Sequence, residues 1–187
     1  MVNFWAIPKC GNTSVKAFIL HKYQGLKILS LKPTESNNFV HKEGVGFVYL
    51  SPGEALVNGR HNIAFVRDPI ERFKSLYMDF CIKRSNPGLP GFHGMTVDSC
   101  LFEIERQFSS IHESDINPHL RSQRYFLEHF RGNIFRIDDF GTIRLNVTNG
   151  YLALSKMQAQ RIKSIYSEDF DLINKVTPIV SFFDLFD

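Results

Sequence analysis

Apolar residues in this chain fall into two patterns. Short unbroken runs alternate with longer stretches in which they recur every three or four positions. Residues 4–7 (Phe4, Trp5, Ala6, Ile7) read as a short buried strand ended by Pro8. The next stretch turns into an amphipathic helix with Val15, Phe18 and Ile19 on one face and Thr13 or Ser14 as its N-cap. Residues 27–31 and 47–50 give a second and a third strand. Asn62, Ile63, Ala64, Phe65 and Val66 form the clearest one, apolar without alternation as in a parallel sheet. Asp68 and Pro69 break it, and a long helix over 70–82 follows, with proline at its start. Residues 85–91, rich in Pro and Gly, read as a loop. Further helices are predicted over 96–108 and 120–130, a strand over 134–137, a mostly helical segment over 155–174, and an apolar tail over 179–186. Strands alternating with helices predict an α/β fold, a three-layer sandwich around a mostly parallel sheet.

Composition narrows the class. With 187 residues, 43% hydrophobic and 22% charged, the chain suits a single domain over 1–187 with a real core. Phenylalanine occurs 18 times, mostly at strand or helix spacing, and is read as core packing. A net charge of +3 with scattered Lys and Arg gives no reason to expect nucleic acid. Cys10, Cys81 and Cys100 are an odd number without a CxxC pair, which argues against a disulfide framework and against a zinc site. The opening residues lack a basic n-region, and no apolar run reaches the ~18 residues of a membrane span, so a soluble, cytoplasmic protein is expected. The tail over 179–186 would pack on the core or on a partner, and the oligomeric state is left open.

Two stretches carry chemistry. The first is Ile7-Pro8-Lys9-Cys10-Gly11-Asn12-Thr13-Ser14. A strand, a tight loop and a helix N-terminus make an anion site, because first-turn amides and the helix dipole both favour a phosphate. Gly11 permits close backbone approach, and Asn12 is of a type that tolerates positive φ. Lys9 brings a full positive charge, while Thr13 and Ser14 bring hydroxyl donors. A nucleotide-triphosphatase loop requires lysine after its glycines, whereas Lys9 precedes Gly11. The second stretch runs from Phe65 to Tyr77. Arg67 stands where the buried strand ends, at the sheet edge where open α/β folds bind ligands, and its planar fork suits a phosphate. Ser75 lies about two helical turns further on. A purely structural reading would have Arg67 cap the helix and pair with Glu71; Arg72 and Lys74 read as solvated charges, and Phe73, Leu76 and Tyr77 as core.

The first stretch resembles the 5′-phosphosulfate loop, close to Pro-Lys-x-Gly-x-Thr-Ser, of the sulfotransferases that use 3′-phosphoadenosine-5′-phosphosulfate (PAPS). The second resembles their 3′-phosphate motif, and the carbohydrate-type branch, sulfotransferase family 2, is nearest. The resemblance implies a P-loop-like sulfotransferase fold without a required metal. Cofactor contacts are implied at Pro8, Lys9, Cys10, Gly11, Asn12, Thr13 and Ser14, with Arg67 and Ser75 on the 3′-phosphate; Cys10 and Asn12 would act through backbone. Lys9 would also stabilise charge on the leaving phosphate, and 3′-phosphoadenosine-5′-phosphate (PAP) would be the product. His119-x-x-x-Gln123, Phe135 to Phe140 and Tyr166-x-x-Asp169-Phe170 resemble later landmarks of that branch, the last being read as packing. The likeness runs from about residue 4 to residue 174.

Transfer of a sulfuryl group to a hydroxyl needs a base beside the acceptor. In this family a His or Glu between the two phosphate motifs serves, which makes His41, Glu43, Glu54 and His61 the candidates. His41 follows the apolar pair Phe39-Val40 and is preferred, with His119 second. His61 begins the strand at the end opposite Arg67, and Glu54 reads as a helix-start charge. The expected partner is a small-molecule or glycan acceptor, with neither nucleic acid nor membrane. Competing readings are a P-loop-like nucleotide kinase or triphosphatase, for which Asp138 would hold magnesium, and a non-catalytic PAPS-binding protein.

Overall fold

The computed structural model describes residues 2–24, 61–83, 89–137 and 152–176. The protein is α/β. Its elements are β1 (Val2–Trp5), α1 (Asn12–Gln24), β2 (His61–Val66), α2 (Pro69–Tyr77), α3 (Val97–Ser110), α4 (Gln123–Leu127), β3 (Asn133–Arg136), α5 (Lys156–Ile165) and α6 (Ser167–Lys175). The strands expected over 27–31 and 47–50, and the tail over 179–186, lie outside the described residues, as do His41, Glu43, Glu54 and Asp138. Among the described residues, no helix is long and apolar enough to cross a membrane.

The chain divides into two compact units. One comprises Met1–Val66, His129–Val147 and Thr177–Asp187, the other Arg67–Glu128 and Thr148–Val176. Among the described residues, the first holds a three-stranded sheet in the order β1-β2-β3. Both pairings are parallel, as the unbroken apolar run at 62–66 predicts: Trp5 lies beside Ala64, and Val66 beside Arg136. Helix α1 packs on this sheet as expected, with Val15, Phe18 and Ile19 against Ile63, Phe65 and Phe135. Each buried phenylalanine there contributes about 2 kcal/mol of transfer free energy.

In the second unit, Asp68 is the N-cap of α2: its Oδ1 accepts from the amides of Ile70 and Glu71 at 2.9 and 3.1 Å. The helix expected over 70–82 continues past Tyr77 as a π-helix (Met78–Lys83), which brings Phe80 and Cys81 into the core. That core joins Phe73, Leu76 and Tyr77 of α2, as expected, to Leu101 and Ile104 of α3, Leu120, and Ile162 of α5. Helix α3 starts where expected, with Thr96 accepting from the Ser99 amide at 3.2 Å.

Two expectations are corrected. Arg72 is not a solvated charge but is 3% exposed, its guanidinium lying 5.8 Å from the centroid of the Tyr166 ring. The helix expected over 120–130 is only Gln123–Leu127. Asn117 starts a turn by accepting from the His119 amide at 3.0 Å, and Ser122 then caps α4 by accepting from Tyr125 at 3.0 Å. The stretch 155–174 is mostly helical, as expected, and consists of two helices. The chain bends at Tyr166, whose hydroxyl donates to the Leu120 carbonyl at 2.8 Å, and α6 begins afresh at Ser167.

Candidate functional site

Strand β1 ends at Trp5, so residues 6–11 leave the sheet at its carboxyl edge and enter α1. The positive φ expected at Asn12 falls instead on Lys9 (φ 66°) and Gly11 (φ 73°). Asn12 opens the helix, which puts Thr13 and Ser14 inside the first turn rather than at its N-cap. For a lysine the left-handed region costs about 1–2 kcal/mol. Such strain persists only where the surroundings hold it, and it concentrates at ligand-binding turns. The loop is anchored by the Cys10 amide donating to Ile7 O at 3.2 Å and the Val15 amide donating to Gly11 O at 3.0 Å. Ile7 and Cys10 are fully buried, Thr13 and Ser14 buried, and Pro8, Lys9, Gly11 and Asn12 half-buried.

The chemistry of this donor set suits an anion. First-turn amides have no carbonyl one turn back and point out of the helix N-terminus, the positive end of its dipole. No acidic side chain occupies that turn. The buried Oδ1 of Asn12 has no hydrogen-bond partner among the described residues, so this carboxamide has bonding capacity to spare.

The second stretch belongs to the other unit. Arg67 directly follows β2 and is half-buried, as is Ser75 on α2. The structural alternative for Arg67 does not hold as drawn. Asp68, not Arg67, caps α2, and Glu71 pairs with Lys74 at 2.8 Å. The Arg67 backbone is instead bonded on both sides to one side chain. Its amide donates to Gln123 Oε1 at 2.8 Å, and Gln123 Nε2 donates to the Arg67 carbonyl at 2.8 Å.

Around this pair lies a buried polar cluster. Gln123 and Asp169 are each 0% exposed. Asp169 Oδ2 accepts from the Gln123 amide at 2.9 Å, and Oδ1 from the Arg124 amide at 2.8 Å. Burial raises the Asp169 carboxyl above the ordinary aspartate value, while Arg72 and these N–H donors act in the opposite direction. His119, the second candidate base, borders the cluster: its carbonyl accepts from Arg72 Nη2 at 3.4 Å, and its ring packs on Phe80 with centroids 4.8 Å apart. His61 is the first residue of β2, at the end of the strand away from Arg67. Among the described residues, no cluster of three or more His, Cys, Asp or Glu is placed to hold a metal ion.

Sequence reasoning found Gln123 and Asp169 only as landmarks. What it missed is that the two elements, 46 residues apart, join into one network beneath Arg67. The burial of this carboxylate and carboxamide is the signal, since such groups stay buried only when paired.

The family model described as Sulfotransferase family matches residues 2–125, well over half of the chain. The chain belongs to the sulfotransferase family. Comparisons with curated proteins and with solved structures give no match. The span that establishes sulfotransferase membership contains the loop at 8–14, Arg67, Ser75, His119 and Gln123, and ends two residues beyond Gln123. The three-stranded parallel sheet with α1 following β1 is consistent with the fold of that family. Sulfuryl transfer is therefore the general class of activity to which the chain belongs.

Proposed function

We propose that this sulfotransferase moves a sulfuryl group from PAPS to a hydroxyl of a carbohydrate or similar small acceptor by in-line displacement, leaving PAP. The observation that carries the reading is the loop at 8–14, where Lys9 and Gly11 both hold left-handed backbone at the N-terminus of α1. PAPS supplies the activated sulfuryl group. Lys9 and the first-turn amides of α1 bind the 5′ end and balance the charge that develops on its phosphate. Arg67 and Ser75 hold the 3′-phosphate, the guanidinium through paired N–H donors and the serine through its hydroxyl. His41 takes the proton from the acceptor hydroxyl, with His119 as the second candidate for that role.

Labelled sulfate transfer from PAPS over a panel of glycans and small hydroxyl compounds tests this reading. Lys9→Ala and His41→Ala are expected to lower transfer about a hundredfold or more. Transfer that neither change reduces would overturn the site. PAP binding without transfer to any acceptor would favour a non-catalytic PAPS-binding protein.

A further inference from the structure

We propose that Gln123 is a positioning residue for Arg67, and that Asp169 locks Gln123 in that task. The proposal rests on the reading of Arg67 as the contact for the 3′-phosphate. Arg67 is the first residue beyond β2, whose ladder to β3 ends with Val66 beside Arg136. A peptide group at such a point needs a donor and an acceptor from elsewhere. The Gln123 carboxamide provides both at 2.8 Å and thereby replaces the neighbouring peptide of a further strand residue. Glutamine suits the task because one planar group carries an acceptor and a donor at fixed separation. A glutamate of the same shape lacks the donor, and an alanine lacks both.

The clamp is itself held. Asp169 receives the Gln123 and Arg124 amides on separate oxygens, so the first turn of α4 is bound through its backbone. Gln123 Nε2 also lies 3.4 Å from Asp169 Oδ2. Arg72 supplies the positive charge near this carboxylate and is tied to the His119 carbonyl. The His119-x-x-x-Gln123 and Tyr166-x-x-Asp169 elements are thus two halves of one support. A guanidinium on a long side chain recognises a phosphate with two N–H donors only if its backbone is fixed, and the network fixes it at both the amide and the carbonyl.

The test compares two ligands by calorimetric titration: PAP, and adenosine 5′-phosphate, which lacks the 3′-phosphate. The unmodified protein is expected to prefer PAP. Gln123→Glu and Asp169→Asn are each expected to weaken PAP binding about ten- to a hundredfold, with adenosine 5′-phosphate binding unchanged. Combining Gln123→Glu with Arg67→Ala should cost no more than Arg67→Ala alone, because the residues act as one unit. A merely structural role would weaken both ligands together, so unaltered discrimination in Gln123→Glu overturns the proposal. An unmodified protein that does not discriminate would instead sink the Arg67 reading beneath it. Hydrogen exchange on the unmodified chain gives a check that needs no variant to fold. The Arg67 amide should exchange slowly, and exchange at the rate of an exposed amide contradicts the clamp.

Discussion

Gly11 lies against the side chain of Ile137 so closely that a β-carbon on Gly11 would overlap Ile137 Cδ1 and Cγ1. The same glycine has φ 73°, so two independent constraints act on it. Gly11→Ala should therefore lower stability by about 1–3 kcal/mol, from left-handed strain together with displacement of Ile137. Ile137→Ala in the same chain should restore only the steric part. Denaturant unfolding of the two variants measures this, and an unchanged midpoint in Gly11→Ala would contradict the described turn.

Arg72 offers a second test, because its burial reverses the sequence expectation. Its loss leaves Asp169 without the nearby positive charge that opposes the effect of burial. Arg72→Ala should destabilise the fold by about 1–3 kcal/mol, the usual cost of removing a buried side chain and leaving a buried hydrogen-bonding partner without it. A surface charge would cost about 0.5 kcal/mol or less. Chemical unfolding separates these outcomes.

The misreading of Arg72 shows how much of the molecule was legible in the sequence. The buried strand at 62–66, helix α1 and its inward face, and the Thr96 start of α3 follow from local periodicity, and the structure holds them. Arg72 follows the exposed Glu71, and its burial involves the Tyr166 ring and the His119 carbonyl, both distant in sequence. The bend at Tyr166 has the same origin, since its hydroxyl reaches Leu120 across 46 residues. At the site, the loop at 8–14 could be identified by residue type. That Lys9 rather than Asn12 takes the left-handed conformation could not, because propensity favours asparagine and the surrounding turn decides. The clamp on Arg67 was invisible for a related reason: a glutamine's partners are set by tertiary placement, not by its neighbours in sequence.

A pH dependence follows from the link between α3 and α5. Arg161 holds Glu105 with two bonds, Nε to Oε1 at 2.8 Å and Nη2 to Oε2 at 2.7 Å. Hydrogen bonding to Arg161 holds the Glu105 carboxyl below its ordinary value. A carboxyl lowered in the folded state stabilises it above the unfolded pKa, and that stabilisation disappears as pH falls through the folded value. Because both partners are partly exposed, the effect should be about 0.5 kcal/mol at pH 7. Glu105→Gln should therefore be slightly less stable than the unmodified chain at about pH 7, with the difference gone well below the ordinary glutamate pKa of about 4.3. A difference that persists in acid would contradict the ion pair.

All three cysteines are free thiols and buried, including Cys10 in the loop before α1. The hydrogen bond with Cys81, together with burial, pushes the Cys100 thiol upward, away from the reactive thiolate. Alkylation of the native protein should be about a hundredfold slower than in denaturant, with every thiol becoming reactive as the chain opens. Rapid native labelling of Cys10 would show that the loop does not bury it.

Titration of the protein with PAP, set beside ATP with magnesium, tests the central claim most directly. The account predicts saturable PAP binding at one site per chain, weakened at least about tenfold by Lys9→Ala and by Arg67→Ala, with ATP binding far more weakly. Absence of PAP binding, with ATP bound in its place, would contradict it.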